Sequence, residues 1–189
     1  MQKIFVVIIM MICAALFITC GKENKTVQKN ESAPPEPAAV SQSYERCTLI
    51  TIAEIQSYFP GAEIKISRAD TQPNAVGQKI CYWSAGDAEM KFVQLSVGSN
   101  ADIKSGRIKV EELYENEKKM AEGIKEVTGI GDTAYYGGSG LKVGAGLHVL
   151  INKKSVKLDL MVGLGTGNSD EQQHLDIEIA LAKKVIERL

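Results

Sequence analysis

Residues 141–164, LKVGAGLHVLINKKSVKLDLMVGL, decide the fold. Two alternating apolar series, Leu141, Val143, Leu147, Val149, Ile151 and then Val156, Leu158, Leu160, Val162, Leu164, flank the polar turn Asn152-Lys153-Lys154-Ser155. A two-residue period sends one set of side chains to one face of a strand. A short polar turn between two such runs makes them antiparallel neighbours. The reading is therefore a meander with one face turned to a core.

Working outward, Gly129-Ile130-Gly131-Asp132 is a turn that leads into a strand at Thr133–Tyr136. Downstream, Ser169 with Gln172 three residues later reads as a capping box opening a final helix. Its apolar stripe is Leu175, Ile179, Ala182, Ile186 and Leu189, and Lys183, Lys184 and Arg188 sit where the helix dipole favours cations. Upstream, Gly106 to Glu122 has helical spacing in Val110, Leu113, Tyr114, Met120 and Ala121. Before it, KICYWS (79–84) and MKFVQLSVG (90–98) read as strands joined across Ala85-Gly86-Asp87-Ala88. AEIKIS (62–67) alternates as a further strand, and 68–77 is a polar loop. A first short helix follows a Thr51/Glu54 capping box, with Ile52, Ile55 and Phe59 on one face and Pro60-Gly61 as its stop. The order helix, three strands, helix, about four strands, helix predicts an α+β fold: a mostly antiparallel sheet with three helices packed on its face. That order resembles the Mog1/PsbP-type sandwich, an analogy of architecture that carries no function.

The amino terminus has a different character. Lys3 precedes sixteen uncharged residues, Ile4 to Thr19, short of the roughly 20 that span a bilayer. A positive start before such a run is the pattern of a secretory signal peptide, predicted over residues 1–19. Leu16-Phe17-Ile18-Thr19-Cys20 resembles the lipobox of bacterial lipoproteins, with Thr19 and Phe17 departing from its usual residues. The resemblance implies lipidation of the Cys20 sulfur and an extracytoplasmic, membrane-anchored protein on the periplasmic side or at the outer membrane; the other reading is an uncleaved anchor helix. Cys20 to Ser43 is polar, carries Pro34-Pro35-Glu36-Pro37 and lacks apolar periodicity, so 20–43 is expected to be a lipidated, disordered tether. As a coil it would reach on the order of 26 Å. Residues 44–189 then form a single domain.

Without residues 1–19 the chain keeps 21 basic (22 less Lys3) and 23 acidic residues. That balance gives no case for nucleic acid or for a polybasic membrane patch. The lipid is then the membrane contact. Cys47 and Cys81 remain in the domain, and an oxidising compartment points them to a disulfide; a metal pair and a redox site are the alternatives. Zinc would need further ligands at close spacing, and His148 and His174 have no such neighbours. Cys81 and Trp83 share a strand face, so disulfide and tryptophan are expected to pack together.

A cysteine before a short helix, Cys81-Tyr82-Trp83, Gly129-Ile130-Gly131-Asp132-Thr133-Ala134 and a helix from Asp170 to Leu189 together resemble uncharacterised extracytoplasmic lipoproteins of bacteria. This implies a cell-envelope protein of unknown role.

Individual residues point weakly to chemistry. Five glycines from Gly137 to Gly146 and the run Gly163-Leu164-Gly165-Thr166-Gly167 lack the spacing of phosphate or dinucleotide loops and read as hairpin tips and close strand contacts. His148 lies on the strand face opposite Leu147 and Val149, with neither a Gly-x-Ser-x-Gly elbow nor a matching acid in view. His174 reads as solvated, and Asp132 as a turn residue with a possible contact role. Tyr82 and one of Tyr135 or Tyr136 are candidate ligand or partner contacts. The expectation is a non-enzymatic, cofactor-free and metal-free module for another envelope protein. A small-ligand-binding lipoprotein, with a pocket lined by Tyr82 or Tyr135, is the second reading and a hydrolase the third.

Overall fold

The computed structural model describes residues 46–87, 90–104, 106, 108–138 and 146–189. The expected signal segment (1–19), the Cys20 lipidation site and tether expected over 20–43, and the Leu141 and Val143 positions lie outside the described residues. Seven strands, β1 (Ile64–Ala69), β2 (Gln78–Ala85), β3 (Lys91–Ser99), β4 (Glu122–Val127), β5 (Thr133–Gly138), β6 (Gly146–Ile151) and β7 (Val156–Leu164), form one sheet in the order β1-β2-β3-β7-β6-β5-β4. Every neighbouring pair is antiparallel. The helices are α1 (Ile52–Gln56), α2 (Val110–Met120) and α3 (Glu171–Arg188). The α+β class and the antiparallel sheet are as the residue pattern predicts.

The period-2 series does bury one face. Trp83, Val93, Leu95, Val97, Leu147, Val149, Leu158, Leu160 and Val162 meet Ile55 and Phe59 near α1 and Ile177, Leu181 and Val185 of α3 in one core. Fully burying each such side chain is worth about 1.5–3 kcal/mol. Cys47 and Cys81 are disulfide-bonded, with Cα atoms 5.5 Å apart. Cys81 and Trp83 are both buried in that core, as their shared face requires.

The helices are not all on that face. Tyr135 and Leu150 have the opposite parity to Ala134 and Val149, and they pack with Ile103, Val110 and Tyr114 in a second cluster. Thus α2 covers the other side of the sheet over β5 to β7, which corrects the expectation of one helical layer. The helix also stops at Met120, which is exposed, and Glu122 onward turns into β4. Strand β4 is solvent-facing along nearly its whole length and so has no apolar period to betray it.

Three further readings are corrected locally. Asp170, not Ser169, caps α3, its Oδ1 accepting from the Gln173 amide at 3.1 Å. The helix buries Ile177, Leu181, Ala182 and Val185, while Leu175, Ile179 and Ile186 only pack at the margin. Both lines have helical spacing, and contact with β6 and β7 selects the first. Around α1 the Thr51/Glu54 capping box forms as read, with Thr51 Oγ1 accepting from Glu54 N and Glu54 Oε2 from Thr51 N. Ile52, assigned to its apolar face, is half exposed.

Candidate functional site

Among the described residues, β7 pairs further along β3 than along β6. Its pairing with β6 reaches Leu147 opposite Leu160, whereas its pairing with β3 continues to Leu164 opposite Lys91. At this end lies a cleft of about 300 Å³. Its apolar lining comes from Met90, Phe92, Tyr136, Met161, Val162 and Leu164, and its polar lining from Thr166, Asn168, Ser169, Glu171 and His174. Mostly apolar walls with a few convergent polar groups are the ordinary make-up of a small-ligand site, at the small end of their size range.

Glycine 163 makes the floor possible. A Cβ there would run into the Phe92 ring and the Met90 carbonyl oxygen. Without one, the ring lies against the strand. Met90 holds a left-handed φ of 63° and leaves its side chain 42% exposed at the cleft. Such backbone in a residue other than glycine is uncommon.

At Val162, side chains of α3 bond the backbone of β7. The Val162 amide donates to Glu178 Oε1 at 2.9 Å, and His174 Nδ1 lies 2.6 Å from the Val162 carbonyl oxygen. A carbonyl can only accept, so Nδ1 carries the hydrogen and Nε2 of the neutral ring is an acceptor. His174 is therefore a bound side chain of the cleft, not the solvated one expected. Glu178 is fully buried and its Oε2 has no partner among the described residues. Burial pushes its carboxyl up to about 9, against the pull of the Val162 and Leu147 main chain. The neighbouring Tyr136 phenol is pushed up to about 12, by burial first and then by the Glu178 charge.

A second polar cluster sits on the opposite face, beneath α2. His148 stands across from Asp159 in the β6–β7 register, its Nδ1 2.7 Å from Asp159 Oδ1, and its ring stacks on Tyr135 at 4.5 Å. The matching acid absent from view in the sequence therefore exists. The 152–155 turn sets Ile151 opposite Val156, and counting back along both strands reaches this pair. The far nitrogen of the ring faces the Gly137 carbonyl oxygen at 3.3 Å. Glu117, His148 and Asp159 could together surround a cation. The buried ammonium of Lys157 already fills that place, bonded to both carboxylates. Burial by itself would raise the Asp159 carboxyl, but Lys157 and His148 hold it well below the usual carboxylate range.

The residues singled out from the sequence scatter. Tyr82 is half-buried and stacks on Phe92 at 5.1 Å, behind the cleft floor. Asp132 is a turn residue, its Oδ2 accepting from the Asn152 amide at 2.7 Å. Tyr135 and Tyr136 are both buried, on opposite faces, so neither is the surface contact expected. Only Tyr136 reaches the cleft, which Tyr82 and Tyr135 do not line. Sequence reasoning missed Phe92, Met161, His174 and Glu178, which meet only when β7 and α3 are packed. No protein family, curated protein or solved structure matches this chain.

Proposed function

We propose that this chain is a lipid-anchored binding module of the bacterial cell envelope, held to the membrane through Cys20, that takes a small ligand into the cleft between the end of β7 and the start of α3. The cleft itself carries the reading. It offers apolar walls and a few oriented polar groups, and the two histidines have their Nδ1 atoms engaged by Val162 and Asp159, an arrangement suited to holding a molecule rather than transforming it. No helix among the described residues is long and apolar enough to cross a membrane. Two or three acyl chains at about 0.8 kcal/mol per buried CH₂ suffice for stable anchoring where one does not.

Both halves are testable in cells. Wild-type chain should take up labelled palmitate and pellet with membranes, and Cys20→Ala should do neither; a Cys20→Ala chain that still labels and pellets overturns the anchor. A photo-crosslinking amino acid at Thr166, on the cleft wall, should trap a low-mass adduct. A stoichiometric protein adduct there would instead favour an envelope-protein partner.

A further inference from the structure

We infer that the cleft holds the alkyl chain of a single-chain amphiphile whose head, a hydroxyl or an ammonium rather than a carboxylate, donates a hydrogen bond to His174 Nε2. This rests on the binding role proposed above and names the class of ligand. The apolar end is built from Phe92, Met161, Leu164 and the exposed Met90. Methionine is unbranched and adaptable, which suits a flexible chain better than a rigid ring. Gly163 is the device that lets Phe92 lie low enough to leave this space.

The polar end selects the head. Nδ1 of His174 is committed to the Val162 carbonyl, and Nε2 has no partner among the described residues. The Glu171 carboxylate, bridged to Lys125 at 2.6 Å, also lines the cleft. An acceptor complements a donating head, and a carboxylate has no hydrogen to offer it.

The surroundings favour a small amphiphile over the side chains of a protein. A stable protein interface covers about 800 Å² on each partner. Of the large hydrophobic side chains exposed on the described surface, Ile52, Ile66, Met90, Met120 and Ile124, only Met90 lines the cleft. Thr166, Gly167, Asn168 and Ser169 add a polar stretch to the lining.

The test uses the full chain in its native membranes and a long-chain alkyl alcohol carrying a mid-chain diazirine and a terminal alkyne, with the matching carboxylate as control. After irradiation, peptides covering residues 90–92 and 161–168 should carry the alcohol probe saturably and several-fold more than the carboxylate. Met90→Gly, which suits the left-handed backbone, and Met161→Gln should each cut this labelling several-fold with an unchanged circular dichroism spectrum. His174→Gln should keep chain labelling but lose the preference for alcohol over carboxylate. Absent or unsaturable labelling of these peptides, labelling that both methionine variants retain, or equal labelling by the two heads would overturn the proposal. A low-mass adduct at Thr166 without probe labelling would leave the binding role standing and reject the amphiphile.

Discussion

Glu178 is an acid kept in a place that favours its neutral form. It is fully buried, one oxygen accepts from the Val162 amide, and the other has no partner among the described residues. Its folded-state value is raised to about 9 from an ordinary value of 4.5. Between those values the native state retains a proton that the unfolded chain has released. Stability must therefore fall as pH rises through that window, and the penalty is complete above it. Glu178→Gln keeps an acceptor for Val162 and removes the ionisation. Chemical denaturation at about pH 5 and about pH 8 should show the wild type losing on the order of a few kcal/mol between the two and the variant losing much less. Parallel pH dependence in the two proteins would mean that Glu178 is ionised in place. Neither this residue nor His174 was legible as a site residue. Their partner Val162 is 16 and 12 positions away, and a main-chain partner leaves no mark in side-chain composition. His148 and Asp159 differ, because hairpin register follows from the turn and places them face to face.

At the scale of elements, local chemistry and tertiary context divide the work. The Thr51/Glu54 capping box, the 152–155 turn and the described parts of the central period-2 runs each place their element where it is found. Pattern reading fails at one edge, β4, while the alternation of residues 62–67 announces β1 at the other. Strands β1 and β4 close the sheet, are almost wholly exposed, and carry irregular pairing between Ile66 and Arg68 and between Glu122 and Lys125. Charges and irregularities on edge strands discourage pairing with other chains; in β4 they leave no apolar period. The disulfide joins the 3-10 turn Arg46–Thr48 to β2. Cross-linking across a sequence separation of 34 stabilises by about 4 kcal/mol in the chain-entropy model. Double replacement of Cys47 and Cys81 by alanine should cost roughly that amount in urea unfolding, and reduction of the wild type should match it. A loss under about 1 kcal/mol would show that the turn is already held by the buried Arg46–Asp102 pair and the Arg46 bonds to Val97 O.

On the scale of the whole domain, the two ends of the described chain meet. Arg188, near the end of α3, donates to Glu54 through both terminal nitrogens and to the Leu49 carbonyl oxygen. Arg188 is the largest influence on Glu54, and its guanidinium holds that carboxyl well below the usual range. A depressed carboxylate contributes stability above its unfolded value near 4.5, and that contribution disappears as pH falls through the folded value. Because the pair is partly solvated, Arg188→Ala should cost only about 1 kcal/mol near neutral pH. The difference from wild type should vanish in strong acid, as followed by thermal unfolding. A constant difference across pH would assign the effect to the Leu49 bond.

The sequence by itself determined the class of fold, the strand pairing around the central hairpin, the cap of α1 and the one pair of cysteines in the domain able to cross-link. All of these depend on spacing within a few residues or on a shared strand face. Only the tertiary structure decided that α2 lies on the opposite side of the sheet from α3, that Lys157 fills the space between two carboxylates, and that Glu178 and His174 meet the Val162 backbone at the cleft. Those outcomes depend on which of several equally periodic faces each helix buries. That is fixed by packing between elements far apart in the chain, which no local spacing encodes.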